Sequence, residues 1–220
     1  GKIVAVGIGG RVTTTLHQPQ TMTLGPVTLE NPVLMALDLK PIALAMGEDI
    51  TGAIGYNLLT HVVAEIDLES AAISLHDPAR YPGAPWQDLR LVGRQPCVEA
   101  EFEGHKGLFK LDTGAAGSVI DFHAPAVAHY GLLNNRATKQ RLTGGVGGMV
   151  RIHEGPLTTF TLAGHTFENL TVGFMPPTDG AFGDTDTVGN IGGKVLAPFI
   201  LVTDYRNARI AFVKRAGNSN

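Results

Sequence analysis

An internal repeat is the sequence feature that most constrains how this chain can fold. Gly7-Ile8-Gly9-Gly10 recurs 138 residues later as Gly145-Val146-Gly147-Gly148. At the same offset the segment 23–31 recurs as 161–169, and at an offset of 137 the segment 53–75 recurs as 190–212. Because three separate blocks agree in order and spacing, the chain contains two copies of one structural unit.

The two copies are of unequal length. The second begins near residue 91 and carries a long segment ahead of its Gly-Val-Gly-Gly, whereas the first has only six residues ahead of its Gly-Ile-Gly-Gly. We therefore predict the C-terminal part of a first lobe over 1–76, a linker over 77–90, a complete second lobe over 91–214 and a tail over 215–220. We expect the first-copy counterpart of residue 112 to lie upstream, outside these 220 residues.

The glycine-rich stretches raise the possibility of a phosphate-binding loop, and their context excludes it. Such a loop must lead into a helix whose N-terminus faces the phosphate. Here the β-branched run Val12 to Thr15 comes next, Pro19 would interrupt a helix, and Val12 occupies the place of the third glycine. We predict β-hairpins with glycine tips in both copies.

The hydrophobic pattern elsewhere has a period of two, which is typical of strands. Val98, Ala100 and Phe102 alternate with glutamates, and a turn over 104–107 leads to a second strand that ends at Leu111. Helical signal is limited to 124–131 and to short stretches after Gly55 and Gly192. The predicted fold class is mainly β, in two related lobes with short helices.

Composition excludes several classes of function. The net charge is −3 and no cluster of Lys or Arg covers a face, so we expect no nucleic-acid partner. No apolar run approaches the roughly 18 residues of a membrane span. Cys97 is the single cysteine, which rules out an intrachain disulfide and predicts a small buried apolar side chain.

The residues that carry chemistry lie in LFKLDTGAAGSVID, at 108–121. An apolar strand ends in Asp112-Thr113-Gly114-Ala115, and a second apolar strand begins at Ser118. This arrangement resembles the active-site motif of the retropepsin-like aspartic peptidases, of the two-lobed bacterial type. The motif itself is short, and its specificity comes from the segments downstream of it in the chain.

The other segments of the repeat also resemble motifs of this family, and they follow the aspartate motif in the same order as in the family. The two glycine-rich hairpins look like the family's flaps, which cover the substrate: Gly7, Ile8, Gly9 and Gly10, and Gly145, Val146, Gly147 and Gly148. The family's second motif, an apolar residue and a glycine before a short helix, is matched by Ile54-Gly55 and by Ile191-Gly192. The resemblance implies a retropepsin-like acid protease barrel that covers nearly the whole chain.

The implied activity is that of an aspartic endopeptidase with Asp112 as a catalytic residue. Two nearby carboxylates share one proton and hold the attacking water, Gly114 permits the sharp turn, and Thr113 would fix the loop across the lobe interface. The implied substrate is a peptide or protein, with no cofactor and no metal. The resemblance also favours an exported bacterial protein.

The chemistry needs two aspartates, and the chain contains Asp-Thr-Gly once. We expect the partner motif about 138 residues before Asp112; otherwise Asp112 pairs with a second molecule, or the chain is inactive. The alternatives are a peptide-binding module without the dyad and a structural β-domain. A first lobe without its leading strands should expose apolar surface and self-associate.

Other candidate residues are assigned structural roles. Asp121 is predicted to end a strand or cap a helix, Asp184 and Asp186 to lie in a solvated loop, and Asp67 and Asp204 to support turns. Ser118 lacks the G-x-S-x-G context of a serine hydrolase. The eight histidines show no metalloprotease spacing.

Overall fold

The computed structural model describes residues 1–40, 42–43, 47–115, 117–177 and 180–215. Strands dominate and the helices have at most six residues in the described ranges, which confirms the mainly β class. The first copy contains β1 (Lys2–Gly7), β2 (Gly10–His17), β3 (Thr21–Leu24), β4 (Val27–Glu30), β5 (Leu34–Ala36), α1 (Tyr56–Leu59), β6 (Val63–Asp67) and β7 (Ala72–His76).

The remaining elements include the strands of a barrel. They are β8 (Gln87–Asp88), β9 (Arg90–Val92), β10 (Gln95–Phe102), β11 (His105–Leu111), β12 (Ile120–Phe122), α2 (Ala124–His129), β13 (Lys139–Gly145), β14 (Gly148–Leu162), β15 (His165–Phe174), a 3₁₀ turn (Ala181–Gly183), β16 (Gly189–Ile191), α3 (Gly193–Leu196), β17 (Phe199–Asp204) and β18 (Arg209–Lys214).

Six strands of an eight-stranded sheet close into a barrel in the second copy, and β13 and β9 extend the sheet beyond the ring. The strand order of the sheet is β13-β14-β15-β12-β16-β11-β10-β9, and β14 also pairs with β10, which closes the ring. The interior is packed with phenylalanines that are fully buried and in mutual edge or stacked contact: Phe102, Phe109, Phe122, Phe160 and Phe174. Burial of these rings is the main source of stability for this part of the fold.

On β11, β12 and β16, the face that points away from the phenylalanine-packed interior carries polar side chains. Lys110 on β11 pairs with Asn190 on β16, which also pairs with Asp121 on β12. Residues that pair across a sheet point to the same face, and neighbours along a strand point to opposite faces. Lys110, Asn190 and Asp121 therefore form one polar layer, and Asp112 and His123, two residues further along, extend it.

The two copies meet in a five-stranded sheet of order β7-β6-β17-β18-β8. Within it β6 and β17 pair antiparallel, with Glu65 opposite Val202. These two residues are equivalent in the repeat at the offset of 137, so a local two-fold axis passes between them. The two related lobes predicted from the sequence are thus joined by equivalent strands, while the boundaries assigned to them stay predictions.

Equivalent details recur in the two copies. Thr23 and Thr28 are joined across a hairpin by a hydroxyl hydrogen bond of 3.2 Å, and Thr161 and Thr166 by one of 2.9 Å. A short helix begins after each of Gly55 and Gly192, as the sequence predicts. The segment 124–131 also forms its predicted helix, α2.

Two local predictions are modified by the structure. The turn placed over 104–107 is tighter, because Glu103 and Gly104 adopt left-handed backbone conformations and β11 already begins at His105. The segment predicted as a linker contains β8, which pairs with β18. Cys97 is fully buried, as predicted. No helix within the described ranges is long and apolar enough to cross a membrane.

Candidate active site

Asp112 lies where β11 ends and the chain turns. Its backbone N–H donates to the Ile191 carbonyl at 2.9 Å, which ties the start of the loop to β16. The Ala115 N–H lies 3.2 Å from the Asp112 carbonyl oxygen and 3.1 Å from its Oδ1. Asp112 is half-buried, whereas Thr113 and Gly114 at the tip of the turn are exposed.

The loop of Asp112 rests on the start of α3. The Gly193 N–H donates to the Ala115 carbonyl at 3.0 Å, and the Gly192 N–H donates to the Val119 carbonyl at 2.9 Å. A Cβ on Gly192 would lie 2.5 Å from the Ser118 carbonyl oxygen, so only glycine fits there. The structure thus brings the loop of Asp112 together with Ile191-Gly192, two segments that the sequence separates by about 80 residues.

Asn190 contacts the carboxylate directly, and sequence reasoning missed it. Its Nδ2 donates to Asp112 Oδ2 at 3.3 Å. The signal available in the sequence was a polar residue immediately ahead of Ile191-Gly192, at a position where the first copy has Ala53. The pairing of Asn190 with Lys110 and Asp121 could not be read from the sequence, because the three strands lie far apart along the chain.

A buried chain of polar contacts continues from Asn190 into the barrel wall. His123, which is fully buried, places Nε2 2.8 Å from Asn190 Oδ1 and Nδ1 3.2 Å from Thr187 Oγ1. The Thr187 Oγ1 lies 2.9 Å from Asp184 Oδ2, and Lys110 Nζ lies 2.6 Å from the same oxygen. The prediction that Asp184 is solvated is therefore wrong, because it is the counter-ion of a buried lysine; Asp186 is exposed as predicted.

The electrostatics of this chain of contacts are governed by burial. Burial lowers the pKa of His123, and the hydrogen bond with Asn190 only partly opposes that effect. For Asp184 burial acts to raise the pKa, but hydrogen bonds from Lys110, the Asp186 backbone and Thr187 outweigh it, and the pKa lies below its usual value. His123 is therefore neutral near pH 7, and Lys110 and Asp184 form an ion pair.

Asp121 does not end a strand or cap a helix, and that prediction is wrong. It lies in the middle of β12 and is buried on the polar face of the sheet, 3.7 Å from Arg141 Nη2. Burial raises the pKa of Asp121, while a hydrogen bond with Ser118 and the charge of Arg141 act in the opposite direction. A three-residue strand is too short for its alternation to be recognised from sequence.

The two glycine-tipped hairpins touch at their tips. The Gly9 N–H donates to the Val146 carbonyl at 3.1 Å, and a Cβ on Gly7 or on Gly9 would collide with the backbone of the opposite tip. Ile8 packs against a cluster that contains Met175 and Phe182 in the second copy. Both hairpins form as predicted.

The second motif of the first copy lies in more open surroundings than that of the second. Ile191 is fully buried beneath the loop of Asp112, whereas Ile54 is 57% exposed. A Cβ on Gly55 would meet no atom of the described residues within 4 Å, in contrast to Gly192. The remaining aspartates behave as predicted: Asp67 accepts a hydrogen bond from the Ser70 N–H, and Asp204 accepts from Asn207 and Arg209.

Comparison with known proteins agrees with these features. Residues 98–194 match a family model described as aspartyl protease. A solved structure similar to the chain is that of a retropepsin-like aspartic protease from Rickettsia conorii, with 16% identity, coverage of 59% of this chain and 96% of that chain, and a TM-score of 0.42. None of the curated proteins matches the chain significantly.

The family match agrees with the predicted resemblance to aspartic proteases for residues 98–194, the segment that contains Asp112. It supports a protease-like function, of the hydrolase class. Within the described ranges, no group of three or more His, Cys, Asp and Glu side chains is arranged to hold a metal ion.

Proposed function

We propose that this chain is part of an aspartic endopeptidase in which Asp112 and a second aspartate activate water for peptide hydrolysis. The observation that carries the proposal is the hydrogen bonding and partial exposure of the Asp112 carboxylate, which lies in a loop matched by the family model. Among the described residues, Oδ1 accepts a hydrogen bond from the Ala115 N–H and Oδ2 accepts one from Asn190, and the group is half-buried. Further lone pairs stay available for a water molecule.

The second carboxylate completes the chemistry. Two carboxyl groups in close contact share one proton, so one accepts a proton from water while the other donates a hydrogen bond to the substrate carbonyl. We propose that the partner belongs to the first copy's counterpart of the Asp112 loop, about 138 residues before Asp112. The open surroundings of Gly55 support this, because Gly192 at the equivalent position is covered by such a loop.

The proposed substrate is an extended peptide or protein segment. Glycine-tipped hairpins expose backbone N–H and C=O groups, which can pair with an extended chain by strand addition. Closure of such hairpins over the substrate would exclude water other than the attacking molecule. The contact between Gly9 and Val146 supports a joint role for the two tips.

Cleavage of a peptide mixture by the intact protein tests the proposal. Asp112→Asn retains the size of the side chain but removes the base, and we expect cleavage to fall by roughly 10²-fold to 10⁴-fold or more. Asp186→Asn makes the same chemical change at an exposed site and should leave cleavage unchanged. Equal activity of the two variants would refute the role of Asp112, and peptide binding without cleavage by the unmodified protein would favour the peptide-binding module.

A further inference from the structure

We propose that Asn190, oriented by His123, makes Asp112 the ionised member of the dyad and leaves the proton on its partner. The inference rests on the proposed function, which requires two carboxylates but does not say which of them is charged. The observations that carry it are the hydrogen-bonded chain from Asp112 to Lys110 and the absence of an equivalent amide in the first copy, where Ala53 occupies the position of Asn190.

The orientation of the Asn190 amide is set by its two neighbours. The structure places Asn190 Nδ2 3.3 Å from Asp112 Oδ2, so the amide NH₂ faces this carboxyl oxygen as a donor. The Asn190 carbonyl oxygen then faces His123 Nε2 at 2.8 Å and requires a proton on that nitrogen. His123 therefore holds the amide with its donor towards the carboxylate.

This orientation persists in both protonation states of His123. In the neutral imidazole with a proton on Nε2, Nδ1 is an acceptor, and the single Thr187 hydroxyl proton serves either Nδ1 at 3.2 Å or Asp184 Oδ2 at 2.9 Å, one at a time. When Nδ1 takes a second proton, it donates to Thr187 Oγ1, and that hydroxyl turns to donate to Asp184. The charged groups that act on His123 are Lys110 and Asp184, which form an ion pair with each other.

A fixed donor on one carboxylate breaks the symmetry of the dyad. A hydrogen bond to the charged form of an acid favours that form, and Asp112 receives one from Asn190 in addition to the one from Ala115. The partner aspartate, in the equivalent position of the first copy, would face the methyl group of Ala53. The shared proton therefore resides on the partner, Asp112 acts as the base, and Asn190 and His123 act as positioning residues.

The test in the intact protein compares four variants by kcat, KM and pH profile. We expect Asn190→Ala and His123→Leu to lower kcat by roughly 10-fold to 100-fold with little change in KM, and to move the acidic limb of the kcat profile to higher pH. His123→Gln, which retains a donor towards Asn190, should restore most of the loss. Asn57→Ala, whose amide donates to the Val33 carbonyl, is the matched control and should have no effect.

The exchange of residues between the copies gives the sharpest result. Ala53→Asn in the Asn190→Ala background moves the donor to the partner aspartate, and we expect it to recover activity with the roles of the two carboxylates reversed. Unchanged kcat and unchanged pH profile in Asn190→Ala would overturn the inference. If the unmodified intact protein cleaves no peptide, the proposed function fails instead.

An NMR measurement, which does not depend on peptidase activity, distinguishes failure of the inference from failure of the proposed function. In nitrogen-15 NMR spectra we expect His123 to carry its proton on Nε2, and the Asn190 side-chain amide resonance to move with acid titration in the unmodified chain but not in Asp112→Asn. A proton on Nδ1 with Nε2 bare, or an Asn190 resonance indifferent to Asp112→Asn, would overturn the inference even in a chain without peptidase activity.

Discussion

His123 shows at the residue scale how a buried titratable group can link stability to pH. Its side chain is fully buried, and its hydrogen bonds with Asn190 and Thr187 replace those with solvent. Burial keeps the imidazole neutral in the folded protein to a pH below its usual pKa of 6.5, whereas the unfolded chain takes up a proton near that value. Stability from this residue is therefore complete above about pH 6.5 and is lost as the pH falls through the lowered pKa.

The corresponding prediction concerns the unfolding free energy near pH 5.5 and pH 7.5. Between these values we expect the unmodified chain to lose stability, with His123 contributing up to about 1.4 kcal/mol per pH unit. The variant His123→Gln has no titrating group there and should lose less. Urea unfolding at the two pH values measures the difference, and an equal loss in both proteins would contradict the assigned burial effect.

Residue-scale features differed in how far the sequence could predict them. Asp112 was identifiable because its motif is continuous in the chain and ends an apolar strand. Asn190 and His123 were not, because their role depends on β12 and β16 pairing next to β11, with about 70 residues between the two side chains. Asp184 was assigned to a solvated loop because its partner, Lys110, lies on a distant strand.

At the scale of elements, α3 can pack closely against the loop of Asp112 because Gly192 has no side chain. A Cβ on Gly192 would press against the Ser118 backbone, whereas a Cβ on the equivalent Gly55 would meet nothing within 4 Å in the described part of the chain. In the 220-residue chain we expect Gly192→Ala to lower the free energy of unfolding by about 1–3 kcal/mol and Gly55→Ala to have little effect. Thermal unfolding of the two variants provides the comparison, and equal melting temperatures would contradict the packing described.

Elements formed by local patterns were predictable, whereas their assembly was not. The glycine-tipped hairpins and the helices after Gly55 and Gly192 arise from turn residues and periodicity that lie within a few positions of one another. The closure of the barrel by β10 and β14 brings Phe102 opposite Phe160, and no local pattern encodes that pairing. Asp121 was misassigned for a related reason, since β12 is only three residues long.

At the scale of the whole molecule, the pairing of Glu65 with Val202 relates the two copies by a local two-fold axis. The repeat predicted two related lobes, and equivalent segments of one unit can pair with each other symmetrically. The sequence alone did not predict that β6 and β17 would be the strands that meet. Among the described residues, the first copy contains far fewer buried apolar side chains than the second.

We expect the 220-residue chain to self-associate through the first copy. Its exposed apolar side chains include Val4 at 55%, Val6 at 49% and Ile54 at 57% exposure, and such patches favour association. The double variant Val4→Thr and Val6→Thr should shift sedimentation velocity profiles towards the monomer. Leu142→Thr, at a similarly exposed site in the second copy, is the matched control, and a monodisperse monomer of the unmodified chain would count against the prediction.

The proposed catalytic role of Asp112 is tested most directly by the structure of the intact protein with a statine-type peptide, whose hydroxyl takes the place of the attacking water. We predict that this hydroxyl lies within hydrogen-bond distance, roughly 2.6–3.0 Å, of the Asp112 carboxylate and of a second aspartate from the first copy. A peptide bound elsewhere, or a hydroxyl that contacts no carboxylate at Asp112, would contradict the assignment of this loop as the catalytic centre.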